Sequence, residues 1–291
     1  MTQGSPTILR RRLVAELRRR REAIGLSGPQ VARELKWSTS KISRLENGQT
    51  LPRSTDVAAL LTLYQIPEPE RTRLLDLVPP STAPEWWEKY SDAIPPGFID
   101  YLGYESGAEE SWEWQAIIVP GLLQTPDYAR MIIDVPPYKD LLTPRQIRSR
   151  IELRMARIER VLGNSSASFN VVMDESTLMR RVGDNSIMAA QIRHLVDVAE
   201  APNLSLQVLL NREGLPGGYM PNFILLRFPT VEGFGEIHPE VLYVEDESGG
   251  NVDMDEMRTH RQFMAFKRLS EVALNPQDTI RFLESQIEKW V

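Results

Sequence analysis

The 291 residues contain no cysteine, which removes disulfides, thiolate metal sites and cysteine nucleophiles at once and suits a reducing compartment. Histidine is scarce. His194, His238 and His260 lie far apart, and none stands at helical i, i+4 spacing from a second strong ligand. His238-Pro239-Glu240 with Asp174-Glu175 is the nearest approach to a metal or acid–base cluster, and surface carboxylates beside a loop histidine explain the same residues. There is no Gly-x-Ser-x-Gly elbow. Gly214-Leu215-Pro216-Gly217-Gly218 lacks the strand-to-helix setting of a phosphate loop and reads as a hairpin loop. No apolar run approaches the roughly eighteen residues of a membrane helix, and Arg10 to Arg12 are not followed by an apolar stretch and a small-residue cleavage site. The expectation is a soluble cytoplasmic protein with no catalytic residues, metal or cofactor.

What is present is an uneven distribution of charge. The net charge of −6 divides into a head, residues 1–80, with fourteen Lys and Arg against eight Asp and Glu, and a body with twenty against thirty-two. A head at +6 is drawn to phosphate, whereas a body at −12 stays soluble and suits basic partners.

Within the head, Leu26-Ser27-Gly28-Pro29-Gln30-Val31-Ala32 followed by Ser38-Thr39-Ser40-Lys41-Ile42-Ser43-Arg44-Leu45-Glu46-Asn47-Gly48 specifies two short helices at a tight turn. Ser27 caps the first, Gln30 closes a capping box, and Pro29 sits early, where its missing N–H costs nothing. Val31, Ala32 and Leu35 form its inner face. Ser38 caps the second helix, Ile42 and Leu45 are its strong apolar positions, and Gly48 ends it. Thr39, Ser40, Lys41, Ser43 and Arg44 are left facing outward, with the short hydroxyls and cations a major-groove reader needs. A helix-turn-helix used only for packing is the alternative, and the basic balance of the head argues against it.

Residues Ile8 to Leu77, and Ser-Lys-Ile-Ser-Arg-Leu-Glu-Asn-Gly above all, resemble the phage-repressor (XRE-type) helix-turn-helix family. The resemblance implies base contacts by Thr39, Ser40, Lys41 and Arg44, phosphate contacts by Ser38, Asn47 and Arg53, and a partly buried ion pair between Arg21 and Glu46. The chain departs from that family at Gly28, where Gln is common, so a phosphate contact usual there is not carried over. The other arginines among Arg10 to Arg12 and Arg18 to Arg21 surround Leu9, Leu13, Val14 and Leu17 at helical spacing and read mostly as a solvated face.

Further helices are expected over Pro52–Tyr64, capped by Ser54, and over Pro67–Leu77. The domain boundaries follow: residues 1–78 a helix-turn-helix domain, 79–85 a proline-rich linker that cannot hold a helix, and 86–291 a body. In the body, Pro95-Pro96-Gly97 predicts a turn and Ala108–Gln115 a helix. Thr125-Pro126 and Thr143-Pro144-Arg145-Gln146 each open a helix, the second running to Leu162 and stopped by Gly163-Asn164. Ala167–Met173, Leu204–Leu210, Asn222–Phe228 and Val241–Glu245 predict strands, with a helix over Ile187–Ala199 and two closing helices, Asp253–Ala273 and Pro276–Trp290. The fold class is therefore α+β: an all-α head of five helices and a body with a small sheet of about four strands.

Trp86-Trp87, Tyr101-Leu102-Gly103-Tyr104-Glu105, Val119-Pro120-Gly121-Leu122-Leu123-Gln124-Thr125-Pro126-Asp127-Tyr128 and Val172-Met173-Asp174-Glu175-Ser176-Thr177-Leu178 resemble the C-terminal domain of the WhiJ-like, or Scr1-type antitoxin-like, regulators of actinobacteria. That resemblance runs from Trp86 to the C-terminus and implies a small BldB-like partner protein. Trp86, Trp87, Tyr90, Tyr101, Tyr104, Trp112 and Trp114 read as core or subunit interface more readily than as a ligand cage. Taken together the expectation is a dimeric DNA-binding repressor acting on double-stranded DNA with an inverted-repeat operator, with an effector or partner docking on the aromatic-rich region between Trp86 and Tyr128. The alternative from another class is an antitoxin-like protein that neutralises a small partner and autoregulates its operon.

Overall fold

The computed structural model describes residues 6–46, 50, 52–78, 85–135, 141–164, 166–216, 218, 220–229, 240–245 and 250–291. Asn47, Gly48, the Pro79–Pro84 linker and His238 lie outside these. Among the described residues the chain separates into a first compact unit up to Trp86 and a second from Trp87.

The first unit holds α1 (Pro6–Ala23), α2 (Gly28–Glu34), α3 (Thr39–Glu46), α4 (Ser54–Leu63) and α5 (Glu70–Asp76). Their inward stripes meet in one core, with Leu13 and Leu17 from α1, Val31 from α2, Ile42 and Leu45 from α3, Leu60 and Leu61 from α4 and Leu74 from α5. Each such side chain removed from water stabilises the unit by about 1.5–3 kcal/mol before ordering costs. Three helices end alike. Leu26 N–H reaches Arg21 O at 3.2 Å, Trp37 N–H reaches Ala32 O at 2.8 Å, and Ile66 N–H reaches Leu61 O at 3.0 Å. The left-handed residue each ending requires is Gly25, Lys36 or Gln65. Only the first is glycine, so Lys36 and Gln65 carry the steric cost of a Cβ in that conformation. Helix α4 starts one residue earlier than a Ser54 cap would allow: Arg53 occupies the cap position and Ser54 is already helical.

The arginines of α1 are not uniformly a solvated face. Arg18 and Arg19 are exposed, but Arg12 is buried and burial lowers its pKa. Arg20 pairs with Glu16 and with Glu70, the latter tying α1 to α5.

The second unit is built on a six-stranded sheet: β1 (Glu110–Gln115), β2 (Ser168–Asp174), β3 (Leu204–Leu209), β4 (Phe223–Arg227), β5 (Glu240–Val244) and β6 (Asn251–Asp253), in the spatial order β3-β2-β1-β4-β5-β6. Strands β1, β2 and β3 run parallel, and β4, β5 and β6 extend the sheet antiparallel. Parallel neighbours need crossovers. These are α7 (Pro126–Ile133) with α8 (Pro144–Leu162) between β1 and β2, and α9 (Ser176–Met179) with α10 (Asn185–Val198) between β2 and β3. Helix α6 (Pro96–Glu105) precedes the sheet, while α11 (Glu256–Val272) and α12 (Pro276–Ile287) follow it.

Three expectations are corrected here. Ala108–Gln115 is not a helix. Glu110–Gln115 forms the central strand, paired with both β2 and β4, and the helix lies one segment earlier, opening at Pro96 in place of the expected turn. The alternation of Ser111, Glu113 and Gln115 with Trp112 and Trp114 sends them to opposite faces, a period of two that a helix cannot use. The expected hairpin after β3 does not form, because β3 and β4 are separated in the sheet by β2 and β1. The sheet also exceeds four strands by β1 and by the three-residue edge strand β6.

Both faces of the sheet are covered. Trp112 and Trp114 pack with Phe223, Leu225, Phe266 and Leu269, the Trp112 and Phe263 rings standing edge to face with centroids 4.9 Å apart. The opposite face of β1 brings polar side chains inside. The Arg157 guanidinium of α8 donates from Nε to Glu105 Oε2 at 2.6 Å and from Nη2 to Glu105 Oε1 at 2.7 Å, and Tyr101 donates its hydroxyl to the same Oε1 at 2.6 Å. The side chains of Arg157 and Glu105 are 6% and 4% exposed. Nearby on β1, Glu113 is buried and accepts from Gln115 Nε2 at 3.1 Å; burial above all pushes its carboxyl up to about 7, against the pull of Arg157. Pro120-Gly121-Leu122 passes close to this cation: a Cβ at Gly121 would lie 3.2 Å from Arg157 Nη1, so a larger residue there would make the guanidinium give way.

Candidate nucleic-acid interface

Recognition by a helix needs rigid anchoring on one side and free polar groups on the other. Anchoring of α3 begins at its entry. Ser27 N–H donates to Gln30 Oε1 at 2.7 Å, fixing the start of α2, and Lys41 N–H donates to Ser38 Oγ at 3.2 Å, fixing the start of α3. Ile42 and Leu45 then pin α3 into the core.

The far end of α3 is held by a charge. Arg21 donates from Nε to Glu46 Oε1 at 2.6 Å and from Nη2 to Glu46 Oε2 at 3.0 Å, a two-pronged contact, while Nη1 donates to Leu26 O at 2.7 Å. One guanidinium thus joins the end of α1, the turn before α2 and the last turn of α3. The side chains of Arg21 and Glu46 are 11% and 14% exposed. The hydrogen bond to Glu46 is the main reason the Arg21 pKa is raised, against the desolvation that lowers it.

Thr39, Ser40, Ser43 and Arg44 lie together on the outer face and are exposed, as are Ser38 before the helix and Arg53 before α4. The Ser38 and Ser40 hydroxyls are 3.0 Å apart, and Arg44 Nε donates to Ser40 O at 3.3 Å, so the arginine lies along its own helix. Lys41 is placed differently from the other residues expected to touch bases. Its Nζ donates to Asp56 Oδ1 of α4 at 2.8 Å and stands 3.8 Å from the centroid of the Trp37 ring. Asn47 lies outside the described residues. Sequence reasoning missed the Lys41–Asp56 contact, fifteen residues apart; the acidic residue in the first turn of α4 was the available signal.

Among the described residues of the body, the acidic pair that the sequence reading set beside the histidine loop is spoken for. Asp174 Oδ1 accepts from Ser176 N–H at 2.9 Å and Glu175 Oε2 from Asn211 N–H at 2.8 Å, so both carboxylates serve local backbone. Among the described residues there is no group of three His, Asp or Glu placed to hold a metal ion, and no helix long and apolar enough to cross a membrane. Trp87, Tyr90, Tyr101, Tyr104, Trp112, Trp114 and Tyr128 are all buried. A void of about 10 Å³ beside Tyr101, Glu105 and Glu113 has room for one water. These seven aromatic side chains are therefore core, as the sequence reading favoured over a ligand cage.

Two family models match the chain. Residues 12–74 match a helix-turn-helix domain, which makes the first unit a DNA-binding regulator's head. Residues 98–285, most of the chain, match the family described as a domain of unknown function, DUF5753. The chain belongs to the DUF5753 family. No curated protein and no solved structure matches it. The DUF5753 region contains the whole of the sheet and the buried Arg157–Glu105 pair.

Proposed function

We propose that this DUF5753 protein is a dimeric, sequence-specific transcriptional repressor, in which Thr39, Ser40 and Arg44 read bases in the major groove while Ser38 and Arg53 meet phosphates. The observation that carries the reading is the outer face of α3: exposed hydroxyls and a cation on a helix braced at both ends, in a head that is basic where the rest of the chain is acidic. A single head of this size buries too little surface for firm specific binding, so two copies act together on an inverted repeat with half-sites about one helical turn, roughly 34 Å, apart. The domains are assigned as residues 1–78 for DNA, 79–85 as linker, and 86–291 for dimerisation and input from a small BldB-like partner protein, as in the WhiJ-like regulators the body resembles.

Selecting duplexes from a random pool with the full chain, and weighing the resulting complex by light scattering, tests this. An inverted repeat bound by two chains is the expected outcome. A monomer both free and on DNA contradicts the dimer, and selection of no sequence contradicts specific reading.

A further inference from the structure

We propose that Asp56 withholds Lys41 from DNA, so that a lysine on the reading helix serves as a brace between α3 and α4 and the head reads through Thr39, Ser40 and Arg44 alone. The inference rests on the DNA-binding reading above and concerns which cation of α3 takes part in it.

Lys41 and Arg44 are three residues apart on one short helix, yet their surroundings differ in kind. Lys41 Nζ has a carboxylate at 2.8 Å and an aromatic face at 3.8 Å. Arg44 is exposed and among the described residues is bonded only to a carbonyl of its own helix, at 3.3 Å. A phosphate could take Lys41 only by replacing Asp56, which exchanges one anion for another and leaves the Asp56 carboxylate facing the negatively charged backbone of the duplex. Arg44 gives up little when it turns to a base edge. The side chain of Asp56 is 21% exposed and lies in the first turn of α4, where a negative charge is favoured by the helix. The carboxylate is thus held where it screens the ammonium group.

The arrangement makes the two charges distinguishable by salt dependence, since each phosphate neutralised adds about 0.9 to the slope of log affinity against log salt. Three full-length chains are compared on operator and scrambled duplexes over a salt series: the natural protein, Asp56→Asn, and Lys41→Met with Asp56→Asn. Asp56→Asn, nearly the same shape, frees Lys41. It is expected to tighten binding to both duplexes several-fold and to steepen the slope by up to about 0.9 per head. The double variant removes both charges, and its slope and its preference for operator are expected to stay within twofold of the natural protein. A double variant whose slope falls by about 0.9, or that loses discrimination at one base pair, shows that Lys41 already contacts DNA and overturns the inference. An Asp56→Asn chain with unchanged affinity and slope overturns it as well. A natural protein that binds no duplex at any salt concentration sinks the DNA reading itself, and this inference with it.

Discussion

The two units contain the same kind of contact put to different uses. Arg21–Glu46 in the head and Arg157–Glu105 in the body are both two-pronged guanidinium–carboxylate pairs linking residues distant in the chain. The head pair lies at the rim of the apolar core of the five helices, its side chains still partly exposed. The body pair is enclosed between helices and sheet, shares its oxygens with the Tyr101 hydroxyl and lies near Glu113, a second buried carboxylate. A rim pair sets the angle at which one helix leaves the core. An enclosed pair commits the surrounding elements to a single arrangement, because an unmatched charge there is cut off from bulk water. In the head Thr39, Ser40 and Arg44 stay exposed on α3, whereas in the body Arg157, Glu105 and Glu113 are enclosed within the fold.

Breaking the enclosed pair is expected to have the largest effect. Arg157→Ala leaves Glu105 buried without its cation and is expected to cost about 3–5 kcal/mol, read as a lowered denaturation midpoint of the body transition; a loss below about 1 kcal/mol would place this pair in the class of surface contacts.

The pH dependence sharpens the same contrast. The Glu113 carboxyl is raised to about 7 in the folded chain from an ordinary value of 4.5, so the folded state retains a proton that the unfolded state has released. This stabilisation is present in full below about pH 4.5 and is lost as pH rises to about 7. Denaturation midpoints between pH 4 and pH 8, on the natural chain and on Glu113→Gln, should show the difference between them shifting in favour of the variant with rising pH, to level off above about 7. A difference that does not change with pH would mean that Glu113 titrates normally.

The rim pair is expected to matter less for stability. Arg21→Ala should cost about 2 kcal/mol, between the surface and enclosed ranges. It should also weaken operator binding beyond what stability explains, because α3 loses its anchor at Glu46; binding measured well below the melting temperature separates the two.

Much of this was legible locally and little of it globally. Caps are written in adjacent residues, so Ser27 with Gln30, Thr143 with Gln146 and Asn275 before Pro276 marked helix starts that the structure has, the last through a 3.0 Å bond from Asp278 N–H to Asn275 Oδ1. The α+β class and four of the strands followed from runs of β-branched and aromatic residues. Strand β1 did not, because Ser111, Glu113 and Gln115 look solvent-facing in sequence although all three are buried. Arg157 was one of six arginines spaced along a single helix, with nothing in the spacing to mark which is enclosed. The turn chemistry at Gly214 was read correctly as a turn and incorrectly as a hairpin, since a turn does not say which strands pair. On the candidate interface, the sequence pointed to the outer face of α3 but could not tell a free cation from one paired across the turn.

The central claim is that the outer face of α3 reads DNA sequence, and Arg44→Ala tests it most directly. Titrating the natural chain and the Arg44→Ala chain on operator and scrambled duplexes at one salt concentration yields the specificity ratio of each. The account predicts a ratio lowered by about 1–3 kcal/mol in the variant, tenfold or more at the middle of that range, with folding unchanged. An unchanged ratio, with both duplexes weakened alike, would place Arg44 on phosphate and contradict the assignment of this face to base reading.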